Sequence, residues 1–257
     1  MRKAMLPKLL VCSCAVLMLM QSCKDDSNLV TPVPISNQSF SEEFDTAAAA
    51  FDRGWEPINV SDPVGPSVWQ DGGNLFPFFN AYSNNGSNVG FIGAEYTSTS
   101  AGSGTISNWL VSPRVLMQNG DKIVFYARAQ TVTPGYTATD VTDWGNRLQL
   151  CLNVTGDDLE VGEGFDAGHF NTVLVDINPS MTEWHAAPGV YGGVTFTAAD
   201  IAKAFPSEWT RFEGTITSLR EPGYHRFAFR YYLADAGSAG RGTGVGVDKV
   251  DYISIGK

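Results

Sequence analysis

Alternation of apolar and polar residues with a period of two is the dominant pattern in the chain after residue 39. In the run DKIVFYARA, Ile123, Phe125 and Ala127 share one face, while Lys122 and Tyr126 lie on the other. This period is typical of a β-strand with one buried face. The segments that show it are 121–129, 147–153, 171–178, 210–216 and 225–235.

Turn-forming clusters such as QNGD, TGDD, EPG and SNNGSN separate these segments. Two short stretches, 45–53 and 197–205, favour a helix, and Thr197 with Asp200 three residues later predicts a helix start. We therefore predict an all-β fold, a two-sheet antiparallel jelly-roll sandwich with one or two short helices. A closed barrel is less favoured because the strand segments differ in length.

Residues 1–22 have the pattern of a lipoprotein signal peptide. Basic residues precede an apolar run of about a dozen residues, which is too short to span a membrane. A small residue then precedes Cys23, as in the lipobox of bacterial lipoproteins, and predicts lipidation of Cys23; an ordinary signal peptide is the alternative. The polar segment 23–38 predicts a lipidated flexible tether, and residues 39–257 predict one jelly-roll domain.

Lys24-Asp25-Asp26 directly follows the predicted lipidation site. It resembles the export signal of surface lipoproteins of the Bacteroidetes. The resemblance implies a protein anchored by lipid in the outer membrane and exposed on the cell surface. An anchor that faces the periplasm is the alternative.

The net charge and the number of cysteines limit the functions that the sequence allows. Without residues 1–22 the chain has 27 Asp and Glu against 14 Lys and Arg, a net charge near −13, which argues against nucleic-acid binding. Beyond Cys23 the chain keeps one cysteine, Cys151, which cannot form an internal disulfide and is expected in the core.

The run GRGTGVG, residues 240–246, invites a comparison with phosphate-binding loops. Such a loop leads from a strand into a helix, whose N–H groups face the anion. Here the following segment, VGVDKVDYISI, is again strand-like, and the G-x-G-x-x-G spacing is absent. We interpret the run as a glycine loop that leads into the last strand and that contributes to a binding rim.

Several blocks in order resemble the choice-of-anchor J domain, which is akin to the cleaved-adhesin and MAM-type jelly rolls. They are FSEEFD at the domain start, Trp109–Pro113, Phe227–Tyr231 and Val247–Val250. The resemblance spans nearly all of residues 39–257. It implies a two-sheet jelly roll that serves on surface proteins as an adhesive or glycan-facing module.

The resemblance also implies a structural calcium ion. In this family an acidic residue near the domain start and the Asp of the closing strand commonly hold it, so the ligands implied here are Glu43 or Glu42 with Asp248. Calcium prefers six to eight oxygen ligands. Lys249 stands where a second acid is common, and a capping or ion-paired Asp248 without metal is the alternative.

The sequence does not favour an enzyme. It lacks the Glu-x-Asp-x-x-Glu strand of sandwich-fold glycosidases and the Gly-x-Ser-x-Gly turn of serine hydrolases. His169, His185 and His225 are far apart and show no metal-ligand spacing. We therefore predict no catalytic residue.

Aromatic residues in loop-like segments are the candidates for a ligand surface: Tyr82, Trp144 and Trp184. Exposed rings can stack on sugars, although packing in the core is the alternative for each ring. Trp109 and Trp209 are assigned to the core. The predicted function is a non-enzymatic surface lipoprotein that binds a glycan or another extracellular ligand. The alternative is an accessory lipoprotein that binds a protein partner in an outer-membrane uptake or fimbria-like assembly.

Overall fold

The computed structural model describes residues 36–77, 79–133 and 141–256. Within these ranges the chain forms fourteen strands and two short α-helices. The strands are β1 Phe40–Glu42, β2 Glu56–Asn59, β3 Gln70–Asp71, β4 Ile92–Glu95, β5 Gly104–Val111, β6 Val115–Met117, β7 Lys122–Ala129, β8 Leu148–Asn153, β9 Thr172–Ile177, β10 Gly189–Tyr191, β11 Val194–Phe196, β12 Thr210–Thr215, β13 Gly223–Ala236 and β14 Gly244–Ile253. The helices are α1 Ala47–Asp52 and α2 Ala198–Ile201.

The strands form two antiparallel sheets, which confirms the predicted sandwich. Sheet one has the order β12-β7-β14-β4-β3, with β1 also paired to β14. Sheet two has the order β2-β5-β13-β8-β9, with β6 also paired to β13. The longest strands, β13 and β14, are thus central to the two sheets, and the strands β10 and β11 form a separate hairpin.

Alternation along the strands places one face of each sheet in the shared core. On β13, Phe227, Phe229 and Tyr231 are fully buried between the sheets, as the sequence pattern predicts. Every residue of β8 is buried, because its leucines lie in this core and Cys151 packs on the opposite side of sheet two. Burial raises the pKa of the Cys151 thiol to about 12, in line with its expected structural role.

A second apolar cluster on the outer side of sheet two includes Trp109, Cys151 and Phe170. Arg230 lies beside it and is 3% exposed. Its guanidinium stacks over the Trp109 ring and donates to the carbonyl oxygens of Gly164 and Asp166 at 2.6 and 2.7 Å. Burial lowers the pKa of Arg230 to about 10. The arginine therefore holds the loop between β8 and β9 against the sheet.

Both predicted helices are present and begin at threonine caps. The Thr46 hydroxyl accepts from the backbone N–H of Ala49, and Thr197 forms a capping box with Asp200. Trp109 is fully buried as expected, but Trp209 is not a core residue. It is half-buried on the outside of the sandwich, where its ring meets Phe79 and Phe91 edge to face.

The sandwich has two distinct ends. Phe40, near the first described residue, lines a surface pocket together with Val115, and β6 in turn pairs with the first residues of β13. We call this the entry end. β13 then runs for fourteen residues, about 45 Å at the usual rise of a strand. The loop that follows β13 therefore lies at the opposite end, which we call the distal end.

The predicted signal peptide, the lipidation site Cys23 and the export signal lie outside the described residues, so these remain predictions. Among the residues that are described, no helix has the length and apolar character needed to cross a membrane.

Replacement of Arg230 by alanine tests its role in holding the β8–β9 loop. The change removes the donor to the part-buried carbonyl oxygens of Gly164 and Asp166 and the stacking on Trp109, so we expect the free energy of unfolding to fall by about 1 to 3 kcal/mol. Urea denaturation measures it, and limited proteolysis is expected to cut near Gly164. The control Arg211→Ala removes an exposed arginine. Equal stability of the two variants would contradict the role of Arg230.

Candidate functional site

A pocket of about 500 Å³ lies at the distal end of the sandwich. Three aromatic rings, one valine and the loop between β13 and β14 form its walls. The lining residues are Phe76, Tyr96, Val132, Trp144, Gly237, Ser238, Ala239, Gly240, Gly242 and Thr243. We call this the Trp144 pocket.

Trp144 has the most unusual conformation in the pocket wall. Its side chain is 37% exposed, and its φ of 54° lies in the left-handed region, which is unfavourable for a bulky residue. Such strain persists only where the surrounding contacts determine the conformation, and it is common at functional sites. The contacts of the neighbouring residue Asp143 supply this constraint.

The Asp143 carboxylate is fully buried directly beside Trp144. It accepts hydrogen bonds from the backbone N–H groups of Gly145 at 2.9 Å, Trp184 at 2.8 Å and Asn146 at 3.3 Å. Burial raises the pKa of Asp143 to about 6, although the donated hydrogen bonds act in the opposite direction. One carboxylate thus fixes the backbone on both sides of Trp144 and ties the Trp184 segment to it.

Asn146 continues this polar network beneath the glycine loop. Its side-chain N–H donates to the Thr243 hydroxyl at 2.8 Å, and its side-chain oxygen accepts from the Tyr231 hydroxyl at 2.8 Å and from the Thr243 backbone N–H at 3.1 Å. The Thr243 hydroxyl also donates to the carbonyl oxygen of Gln130. The base of the pocket wall is therefore fixed by buried hydrogen bonds.

The conformation of the glycine loop requires a glycine at position 242. Its φ is 86°, and a Cβ atom there would lie 2.5 Å from the Tyr231 hydroxyl. Its backbone N–H donates to the carbonyl oxygen of Trp144 at 2.9 Å. The loop joins two strands rather than a strand and a helix, so it lacks the arrangement of a phosphate-binding loop. Its residues line the Trp144 pocket, and its role as a binding rim stays a prediction.

The structure separates the three predicted aromatic residues. The Trp184 segment meets Trp144 through Asp143, although the Trp184 ring is absent from the described pocket lining. Tyr82 lies on sheet one, is 42% exposed and stacks on Tyr126 with ring centroids 3.6 Å apart. The candidate site therefore contains Trp144, with Trp184 beside it and Tyr82 elsewhere.

Phe76 and Tyr96 are pocket residues that sequence reasoning missed. Their rings meet edge to face at 5.9 Å. Tyr96 reaches the pocket because β4 pairs with the start of β14, and its backbone N–H donates to the carbonyl oxygen of Thr243 at 3.0 Å. The turn-like sequence around each residue gave no signal, since only the strand pairing brings them to the glycine loop.

The pairing of β1 with β14 brings the three predicted calcium ligands to the same region of sheet one, but each carboxylate has its own partners. Glu42 pairs with Arg53, Glu43 pairs with Lys249, and Asp248 accepts from backbone N–H groups. In the part of the chain that the structure describes, no group of three or more His, Cys, Asp or Glu residues could hold a metal ion. The residues present thus do not fit the implied calcium site.

Comparisons with known proteins give structural similarity only. No family model matches the chain, and no curated protein matches it. It is similar to the K1 cleaved adhesin domain of Lys-gingipain from Porphyromonas gingivalis, with 19% identity over 84% of this chain and 98% of that one, at a TM-score of 0.49. The K3 domain has 16% identity over 86% and 99%, at 0.47.

A third similar structure is TmCBM61 in complex with β-1,4-galactotriose, with 11% identity over 86% of this chain and 99% of that one, at a TM-score of 0.39. Cleaved-adhesin domains, which the sequence resembles, are thus among the solved structures to which this chain is similar.

The buried Asp143 predicts a specific dependence of stability on pH. Its pKa is about 6 in the folded state and about 3.9 when unfolded, so its stabilising contribution is full below about pH 4 and is lost as the pH rises through 6. The difference in unfolding free energy between wild type and Asp143→Asn is therefore expected to be larger at pH 4.5 than at pH 7, by on the order of 2 kcal/mol.

Urea denaturation at the two pH values measures this difference, with the exposed Asp235→Asn variant as the control. A difference that is the same at both pH values would contradict the raised pKa.

Proposed function

We propose that this chain is a non-enzymatic binding domain and that the Trp144 pocket is its glycan-binding site. The observation that carries the proposal is the Trp144 ring, which the buried Asp143 network holds in a strained conformation at the edge of an open pocket. A tryptophan ring that served only to stabilise the fold would be expected in the core rather than at the surface. An exposed and fixed aromatic ring loses little conformational entropy when a ligand binds to it.

The chemistry of the pocket fits a neutral sugar. Aromatic rings offer flat apolar faces for the C–H surface of a sugar ring, and Ser238, Thr243 and the loop backbone offer partners for hydroxyl groups. None of the described residues that line the pocket carries a formal charge. Because the whole protein is strongly acidic, an anionic glycan would also be repelled by the general field.

The position of the pocket fits a protein anchored at its N-terminus. The chain enters the domain at the entry end, whereas the pocket lies at the distal end, about 45 Å along β13. We propose that lipidation of Cys23 anchors the chain in the outer membrane and that the segment up to residue 38 acts as a tether. Such a tether would hold the whole domain, including the pocket, outside the membrane.

A protein partner is the second candidate function, and the β10–β11 hairpin favours it. Val190 and Val194 of this hairpin are 68% and 57% exposed. The sequence from Trp184 to Ala199 contains no Asp, Glu, Lys or Arg, although the chain as a whole is rich in acids. An uncharged ribbon with exposed valines is suited to contact an apolar surface of another protein.

Replacement of Trp144 by alanine tests the glycan proposal. Immobilised neutral oligosaccharides are screened with the purified chain, and the dissociation constant of the best ligand is measured by calorimetry. We expect Trp144→Ala to weaken binding about tenfold or more, because a buried aromatic contact contributes at least 1.4 kcal/mol. The control Tyr224→Ala removes a 52% exposed ring at the entry end. Unchanged affinity of Trp144→Ala would contradict the proposal.

A double substitution in the hairpin, Val190→Asp with Val194→Asp, separates the two functions. It is expected to leave glycan affinity within about twofold of wild type, because neither valine lines the Trp144 pocket. Capture of a cell-envelope protein by wild type, its loss in the double variant and retention in Trp144→Ala would instead favour the protein-binding function.

A further inference from the structure

The first and last strands of the domain meet at one irregular point of sheet one. β14 pairs with β4 up to Val247 and with β1 from Val250 onward. Its register against β7 shifts between Asp248 and Asp251, and Lys249 has a φ of 46°. We call the contacts of Glu42, Glu43 and Asp248 at this point the closing clasp. These are the residues for which the sequence resemblance implies calcium.

Glu42 is buried and receives four hydrogen bonds. Arg53 donates from Nη2 to Oε1 at 2.5 Å and from Nε to Oε2 at 2.8 Å, a bidentate pair. The backbone N–H of Phe44 donates to Oε1 at 3.0 Å, and the indole N–H of Trp55 donates to Oε2 at 3.1 Å. A carboxylate offers about four lone-pair sites, so these donors occupy both oxygens of Glu42.

Asp248 is fully buried, and both of its carboxylate oxygens accept hydrogen bonds. Its Oδ2 accepts from the backbone N–H groups of Tyr82 at 2.8 Å and Ser83 at 2.9 Å. Its Oδ1 accepts from the Ser83 hydroxyl at 2.8 Å and from the backbone N–H of Lys249 at 2.7 Å. The carboxylate therefore anchors the segment that carries Tyr82 to the closing strand.

Glu43 is the third acid of the clasp, and its partner is a cation on the closing strand. The Lys249 ammonium lies 2.7 Å from its Oε1, and both side chains are partly exposed. The Glu43 carboxylate raises the pKa of Lys249, so the ammonium keeps its charge at neutral pH. Lys249 occupies the position where the resembled family commonly has a second acid.

We infer that the closing clasp works without calcium, and that Arg53 and Lys249 supply the positive charge that the ion would supply. Calcium requires oxygens that face a common point, whereas here N–H and O–H donors face the carboxylate oxygens. A bound ion would have to displace these donors and would be repelled by two protein cations at short range. The clasp thus joins both termini of the domain through internal ion pairs and hydrogen bonds.

Thermal unfolding of the purified full-length chain tests this inference, with millimolar calcium chloride and with excess EDTA. Two variants form a matched pair: Lys249→Asp adds a carboxylate beside Glu43, and Lys249→Asn removes the ammonium without adding one. Asp and Asn both tolerate the left-handed backbone at this position, so neither variant adds strain.

For the wild type we expect the Tm values in the two solutions to agree within about 1 °C. Lys249→Asp is expected to be less stable in EDTA and to recover several degrees with calcium, because a ligand that binds the folded state raises Tm. Lys249→Asn is expected to show no calcium response. A wild-type Tm that falls in EDTA and is restored by calcium would overturn the inference. The absence of a calcium response in Lys249→Asp would overturn the assignment of Lys249 as the residue that replaces the ion.

Discussion

The chain has to pass from the centre of one sheet to the centre of the other in the few residues between Ala236 and Gly244. β13 and β14 are the longest strands, and each lies at the centre of its sheet. The short loop that joins them therefore determines where the residues of the distal end lie. The close approach of Gly242 to the Tyr231 hydroxyl excludes a side chain at that position. The buried polar groups beneath the loop then need internal partners, which Asn146 provides. The pocket wall follows from this crossing, and the Gly242 N–H, which donates to the Trp144 carbonyl oxygen, links the Trp144 segment to it.

Buried carboxylates perform related tasks at two places in the molecule. Asp143 fixes the Trp144 and Trp184 segments at the distal end, and Asp248 fixes the Tyr82 segment on sheet one. Each accepts mainly backbone N–H groups of loops, which are donors that strand pairing leaves without partners. The loops that carry the exposed rings of Trp144 and Tyr82 are therefore each held by one buried acidic residue. This anchoring keeps the rings in fixed positions although they lie on loops.

Much of the fold could be predicted from the sequence, but only part of the candidate site. Period-two alternation in segments such as 121–129 gave the strands and their buried faces, since burial on one side of a sheet selects that pattern. Trp144 stood out as an aromatic residue among turn residues. Phe76 and Tyr96 did not, because strand pairing between distant segments brings them to the pocket. The ion pairs of Lys249 likewise depend on the register of β1 against β14, which a local pattern does not specify.

The central claim is that a ligand binds against Trp144. The most direct measurement is a glycan titration of the chain labelled with ¹⁵N at its six tryptophans, followed by NMR of the indole N–H signals. We expect a saturable shift of the Trp144 signal, with at most a smaller change at its neighbour Trp184, and fixed signals for the buried Trp55 and Trp109. Saturable binding that leaves the Trp144 signal unchanged would contradict the proposed function.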